Sequence, residues 1–284
     1  DTVSWTGIDE IQVFGRQNTE NAESPDKYES VHEESAVDKR KEPSEDLLGG
    51  TKHLCLLYHS EGSKPYTVEN LIPYLAYVDR QGVIQDTMFD SYLFLHDTGE
   101  MPSGASAFEG SVMSDWQWCI DDMFVENTNL YALDAAAGQV KEALGLGSDF
   151  KYKVTATLYY PNSTMTDFGD VDGDGKSESF AVYEDRMKAY KWYIGQIEKR
   201  FAEAGFENIV LVGYYWWDES INNQEPYIKQ TTNAISDYLH SIDRDFFWIP
   251  YHCASGFGDW ANYGFDIACM QPNYVFKAEA PYAN

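Results

Sequence analysis

Hydrophobic runs alternate with helix-like segments along the chain from residue 53 onward. Short runs rich in β-branched and aliphatic residues, bounded by polar turns, predict six strands at residues 53–58, 91–95, 153–159, 209–215, 246–250 and 267–270. Helical spacing of the apolar residues between them predicts helices at residues 68–81, 114–126, 129–144, 183–204 and 227–242. This alternation indicates an α/β fold with a parallel sheet.

The predicted strands favour one type of α/β fold. No glycine-rich phosphate loop follows the first strand, which disfavours a dinucleotide-binding fold. The remaining arrangement is a (β/α)8 barrel of the TIM type. Six strands are predicted and the chain stops soon after the sixth, so we expect a barrel that is incomplete at its C-terminus.

The first 50 residues have a different character. Residues 1–16 predict one or two strands, and their segment IDEIQVFG resembles the last strand of discoidin-like β-sandwich domains. Residues 17–50 are rich in Asn, Glu, Ser, Asp, Lys and Pro, which predicts an acidic flexible linker. We therefore expect the remnant of a β-sandwich module, then a linker, then a barrel domain at residues 51–284, all belonging to a larger modular protein.

The net charge and the aromatic content of the chain restrict the classes of molecule that it is expected to bind. The chain has 20 Lys and Arg against 47 Asp and Glu, a net charge of −27, which would repel nucleic acid and anionic membrane surfaces. No run reaches the roughly 20 apolar residues of a membrane helix, so membrane insertion is not expected. Aromatic residues make up 15% of the chain, and flat rings stack on sugars. These features favour a secreted or cell-surface protein whose partner is a polysaccharide or glycan.

The segment NIVLVGYYWWDES, residues 208–220, changes from a buried strand into four aromatic residues and two acids. Ligands of α/β sheets and barrels bind at the carboxyl ends of strands. Aromatic neighbours would desolvate Glu219 and raise its pKa, so we assign Glu219 as the proton donor of a glycosidase. Asp218 points the other way if strand geometry persists, where it could contact a substrate hydroxyl, and it could serve as the second carboxylate if the loop turns there.

Polar and aromatic residues also follow the other predicted strands, and in a barrel they would converge on one mouth. The predicted substrate-binding residues are Tyr58, His59, His96, Tyr159, Tyr214, Trp216, Asp218, His252, Gln271, Asn273 and Tyr274. Glycosidic bond cleavage usually needs a second carboxyl group. We assign Asp97 to this role, and Glu61, Asp259 or a residue beyond Asn284 remain alternatives.

An acidic loop, DVDGDGKSE at residues 170–178, predicts a structural calcium ion. Its carboxylates stand at positions 1, 3, 5 and 9 with glycine at position 6, as in the first nine positions of an EF-hand loop. Position 12 is Ala181 instead of Glu, so the loop resembles the shorter calcium loops of integrin-type and thrombospondin-type repeats. The predicted ligands are Asp170, Asp172, Asp174, the carbonyl of Lys176, and Glu178, with a carboxylate of Glu184 or Asp185 as the alternative to Glu178.

Two alternatives to a glycosidase remain open. His59, His96 and His252, with Asp97, could serve a metal-dependent polysaccharide-modifying hydrolase, although the chain has no HxH or HxxxH pair. The same aromatic mouth without a competent pair of acids would suit a non-catalytic carbohydrate-binding or adhesion module.

Four segments carry a resemblance to a known family: LLYHSEG, DFGDVDGDGKSE, VGYYWWDES and FDIACMQPNY. Together they resemble the secreted bacterial proteins grouped as domain of unknown function 4855, over about residues 53–284. This resemblance implies a glycosidase-like barrel, often beside carbohydrate-binding or discoidin-like modules. The end of the fourth predicted strand is also similar to barrel glycosidases that carry an Asn–Glu pair there, with Asp218 in the place of Asn. We therefore expect a secreted, calcium-stabilised glycoside hydrolase.

Overall fold

Six parallel strands form the central sheet of the computed structural model, which describes residues 46–59, 64–96, 101–105 and 110–271. In chain order the strands are β1 (Leu54–His59), β2 (Ala76–Val78), β3 (Ile84–Thr87), β4 (Ser91–His96), β5 (Tyr152–Leu158), β6 (Ile209–Trp216), β7 (Asp245–Trp248) and β8 (Ile267–Ala268). The large sheet has the order β1-β4-β5-β6-β7-β8, while β2 and β3 form a separate antiparallel pair. The predicted α/β class with a parallel sheet is confirmed.

The helices all pack on one face of this sheet. They are α1 (Val68–Leu75), α2 (Met113–Met123), α3 (Asn129–Leu144), α4 (Tyr183–Ala204) and α5 (Ile228–Ser241). Apolar residues of these helices pack against the alternate strand residues that face them. Together they form one large core. The opposite face, called here the inner face, carries a smaller cluster that includes Leu93, Leu95, Tyr215 and Phe247.

The predicted barrel does not close within the described residues. The sheet has β1 at one edge and β8 at the other, and no described strand joins them. The predicted β-sandwich remnant at residues 1–16 and the linker up to residue 45 lie outside the described residues. Among the described helices, none has both the length and the apolar character that crossing a bilayer requires.

The last residues of the predicted linker belong to the folded domain instead. Leu47–Gly49 form a 3-10 turn, and the buried Leu48 side chain packs in the inner-face cluster. The backbone N–H of Leu48 donates to Asp245 Oδ2 at 2.6 Å, which fixes the turn to the start of β7. Two adjacent leucines after a polar stretch were the sequence signal for this packing.

The helix predicted at residues 68–81 is shorter than expected because a hairpin replaces its second half. The helix ends at Leu75, and Ala76–Val78 pairs with β3. The Asp79 carboxylate accepts hydrogen bonds from the backbone N–H groups of Gln81 and Val83, which closes the turn. Gly82 has a φ of 82°, a conformation that glycine adopts at little cost.

Gly213 generates a stability prediction because β6 passes very close to its neighbours there. A Cβ at this position would lie 2.5 Å from the carbonyl oxygen of Asp245 and 3.0 Å from Leu48 Cδ2. We expect Gly213→Ala to lower the free energy of unfolding by about 1–3 kcal/mol through overpacking. Chemical denaturation of both proteins measures this.

The matched control is Gly195→Ala in α4, where an added Cβ meets nothing within 4 Å. Alanine is the better helix former by roughly 1 kcal/mol, so this variant should be as stable as the parent or more stable. Equal stability of the Gly213→Ala protein and the parent would contradict the close approach.

Candidate functional site

The loop that follows β6 is fixed by backbone contacts to both neighbouring strands. Trp217 N–H donates to the Leu158 carbonyl at 3.0 Å, at the end of β5. On the other side, Tyr251 N–H donates to the Glu219 carbonyl at 3.1 Å, and the Trp248 indole N–H donates to the Asp218 carbonyl at 2.7 Å. Residues 217–219 are therefore held in one conformation at the carboxyl end of the sheet.

Asp218 and Glu219 line the same cavity, of about 390 Å³. The condition under which Asp218 would point away from Glu219 is not met, because β6 ends at Trp216 and strand alternation does not continue into the loop. The remaining lining residues come from the ends of β1, β4, β6 and β7; they are Tyr58, Leu95, Tyr215, Trp217, Ser220 and Tyr251.

Burial acts on Asp218 and not on Glu219, which is exposed. Desolvation raises the pKa of Asp218 to about 7, and the negative charge of Glu219 adds to this rise. A hydrogen bond from the backbone N–H of Ser220 opposes it at 3.3 Å. The expectation that aromatic neighbours desolvate Glu219 is therefore wrong, and the desolvated acid is the residue before it.

Aromatic rings form the exposed walls of this cavity. Tyr58 and Tyr251 have 54% and 38% of their surfaces accessible. The cavity continues along the inner face into a larger one of about 650 Å³, which Tyr58, Leu95, Tyr215 and Glu219 also line. Gln271 lines the larger cavity, and its side-chain amide donates to the Ile249 carbonyl at 3.2 Å.

Five of the predicted substrate-binding residues point away from the mouth. Tyr159, Tyr214 and Trp216 are fully buried in the core beneath the helices. The Tyr214 hydroxyl donates to Glu198 of α4 at 3.1 Å. Side chains alternate across a strand, so one residue of each strand end faces the helices. The other two are His59 and His96.

His59 and His96 contact Asp122 of α2, a residue that the sequence did not single out. Burial lowers the pKa of His96. Burial opposes ionisation of Asp122, but its contacts with the two imidazoles outweigh this and lower its pKa to about 2. The three residues are separated by tens of positions in the chain, so no local motif could have identified them.

Two further predicted site residues that the structure describes, His252 and Asp259, line neither of these cavities. His252 is half-buried, and its Nε2 lies 3.7 Å from the Sγ of Cys253. Asp259 is exposed in the 3-10 helix Phe257–Tyr263. Four predicted residues lie outside the described residues: Asp97, Glu61, Asn273 and Tyr274.

The acidic loop brings three of its predicted ligands together. Carboxylate oxygens of Asp170, Asp172 and Asp174 lie within 4.8 Å of one another. Asp170 accepts hydrogen bonds from the N–H groups of Gly173, Asp174 and Gly175, at 2.7 to 3.1 Å, so the backbone wraps around its carboxylate.

Two of the predicted loop ligands have other contacts. Glu178 is buried outside this cluster, where its Oε2 accepts from Val171 N–H at 2.8 Å. Lys176 donates its backbone N–H to Asp174 at 2.9 Å. Lys188 Nζ lies 2.7 Å from Asp172 Oδ2 and 3.4 Å from Glu178 Oε1, so this cation offsets part of the loop's charge.

Comparison with known proteins gives one positive finding. No curated protein and no solved structure matches the chain significantly. The sequence model described as "Domain of unknown function (DUF4855)" matches residues 53–284, which include nearly all of the described domain and both acids of the cavity. The chain therefore belongs to the DUF4855 family.

Proposed function

We propose that this chain is a secreted glycoside hydrolase that acts on a polysaccharide or glycan, with its catalytic centre at Asp218 and Glu219. The observation that carries the proposal is the raised pKa of a half-buried carboxyl group, Asp218, beside a second carboxyl group in the same cavity. Glycosidases use two carboxyl groups in different protonation states. The pair also lies at the carboxyl end of a parallel sheet, where such folds bind ligands.

The roles of the two acids follow from their environments. Asp218, with a pKa of about 7, holds a proton near neutrality and donates it to the oxygen of the departing sugar. Glu219 is exposed in the same cavity, where its carboxylate stabilises the positive charge at the anomeric carbon or takes the proton of the attacking water. The exposed rings of Tyr58 and Tyr251 provide flat surfaces for sugar rings.

The strand order supports a barrel-type scaffold for this site. Every neighbouring pair in the six-stranded sheet is parallel and follows the order of the chain. A (β/α)8 barrel has the same sequential order. We therefore interpret the described sheet as six strands of such a barrel, with the inner face as its interior.

Loss of either acid should abolish hydrolysis. On a panel of soluble polysaccharides followed by reducing-sugar release, we expect Asp218→Asn and Glu219→Gln each to lower kcat by about 10²- to 10⁴-fold. The control is Glu203→Gln, an exposed acid of α4 that should leave kcat unchanged. Full activity of Asp218→Asn would contradict its role as donor. Sugar binding without hydrolysis by the parent protein would instead support a carbohydrate-binding module.

The raised pKa of Asp218 predicts a pH-dependent stability. Its ordinary pKa is 3.8 and its folded value is about 7, so the folded state retains a proton that the unfolded state releases. The neutral carboxyl therefore stabilises the fold at low pH, and this contribution is lost as pH rises from about 4 to about 7. Relative to Asp218→Asn, the Tm of the parent should fall over this interval.

Thermal unfolding of the parent, Asp218→Asn and Glu203→Gln between pH 4 and 8 measures the effect. The parent and Glu203→Gln should show the same pH dependence, since Glu203 is exposed. A Tm difference between the parent and Asp218→Asn that does not change with pH would show that Asp218 is not desolvated.

We also propose that the acidic loop binds a structural calcium ion. Carboxylates of Asp170, Asp172 and Asp174 supply hard oxygen ligands, and the backbone is already folded around Asp170. The carbonyl of Lys176 and a rearranged Glu178 would complete the proposed ligands.

Calcium should stabilise the parent protein, by about 2.7 kcal/mol at 100 times Kd. Asp170→Asn should remove this stabilisation, whereas Asp167→Asn, which removes an exposed acid outside the cluster, should retain it. Calorimetric titration and Tm measurements with and without calcium test this. Absence of calcium binding by the folded parent at millimolar concentration would contradict the proposal and leave Lys188 as the cation that balances the loop.

A further inference from the structure

Three metal-ligating side chains converge between the sheet and α2. His59 and His96 are the last residues of β1 and β4 and are directly paired in the sheet register. Asp122 stands one residue before the end of α2. Its Oδ2 lies 2.6 Å from His59 Nδ1 and 2.8 Å from His96 Nε2, and all three ligand atoms lie within 4.8 Å of one another.

The cluster is enclosed by protein. His59 is 5% exposed and His96 is 1% exposed, while the Asp122 side chain is 14% exposed. The ring of Tyr66 lies near that of His59, and the rings of Trp118 and His96 pack in a T-shaped arrangement. The site therefore has low solvent access, with Asp122 as its most accessible ligand.

Hydrogen bonding within the described residues does not explain the position of His59. Neither of its ring nitrogens has a hydrogen-bond partner there, although both are buried. Asp122 Oδ2 lies 2.6 Å from Nδ1, a close contact that does not form a hydrogen bond with this nitrogen. A buried polar group without a partner costs about 1–3 kcal/mol, so this arrangement needs a further explanation.

A metal ion bound at His59 Nδ1 would account for the lack of a hydrogen bond at that nitrogen within the described residues. Ligand atoms at about 2.0–2.2 Å from one tetrahedral ion lie about 3.3–3.6 Å apart, so the atom pairs that are 2.6 and 2.8 Å apart would separate by about 1 Å or less on binding it. Two imidazole nitrogens and one carboxylate oxygen form a common ligand set for zinc and other divalent transition metals, with a position left for water. We propose that His59 Nδ1, His96 Nε2 and Asp122 Oδ2 bind a divalent transition metal of the zinc type.

This site is separate from the proposed catalytic cavity. Tyr58 lines the cavity that contains Asp218 and Glu219, called here the acid cavity. The next residue, His59, faces the helices on the opposite side of the sheet. The metal would tie α2 to two adjacent strands. The inference therefore does not depend on hydrolysis, and either proposal can fail without the other.

Metal binding by the full-length chain, stripped with chelator, tests the inference directly. We expect titration with zinc to show one equivalent bound at this site, and cobalt to give visible d–d absorption with an extinction typical of a low-coordinate site. His59→Gln and Asp122→Asn should each weaken zinc binding by at least about 10²-fold, because each removes a direct ligand. The apparent affinity should also fall as the pH is lowered, because protons compete with the metal for its ligands.

Two matched controls separate this site from other ligands of the chain. His240→Gln removes a second His–Asp pair, in which Nε2 lies 2.8 Å from Asp266 Oδ2 but His240 is 43% exposed. Asp170→Asn removes the centre of the acidic loop. Both variants should retain zinc affinity and the cobalt spectrum.

X-ray absorption of the zinc-loaded parent needs no variant, so its result is independent of whether the variants fold. We expect scattering from two imidazole rings. The inference is overturned if the folded parent binds no zinc or cobalt, if its bound zinc shows no imidazole ligands, or if zinc binding is lost in Asp170→Asn but unchanged in His59→Gln and Asp122→Asn.

Discussion

Side chains of consecutive strand residues face opposite sides of a sheet, and here helices cover only one of those sides. At each strand end, one residue therefore faces the helix-covered core and the adjacent residue in the chain faces the other side of the sheet. Tyr58 and Leu95 line the acid cavity, while His59 and His96 turn towards α2. The sheet thus separates the residues at its strand ends into two groups, one that lines the acid cavity and one that faces α2.

A register shift in β6 sets which aromatic residues reach the cavity. Val154 pairs with Leu211, but the next residue of β5 pairs with Gly213, so Val212 is an extra residue in the ladder. Uninterrupted alternation would place Tyr214 and Trp216 on the same side as Val212. Because of the shift, these two rings enter the core, and Tyr215 faces the inner side instead. Of the rings at residues 214–216, Tyr215 therefore lines the cavity, whereas the predicted contacts Tyr214 and Trp216 do not.

Local patterns in the sequence were sufficient for most of the helices and strands, but not for the β2–β3 hairpin or for the candidate sites. Helices α3 and α4 have the predicted bounds because each has an amphipathic repeat ending at a glycine in the left-handed conformation. Burial depends on contacts between distant residues. The contact of Asp122 with two strand ends, and the desolvation of Asp218, arise from packing that periodicity does not encode.

The protonation proposed for Asp218 requires that no cation neutralise its charge. Arg186 is fully buried and pairs with Glu225, and its guanidinium also donates to the carbonyl oxygens of Phe180 and Pro226. Its hydrogen bonds are thus directed to Glu225 and the backbone. The influences that set the pKa of Asp218 are burial, the N–H of Ser220 and the charge of Glu219, with no described cation among them. A cation beside this carboxyl group would lower its pKa and keep it ionised at neutral pH. Because no described cation contributes, desolvation dominates and the pKa of Asp218 stays raised.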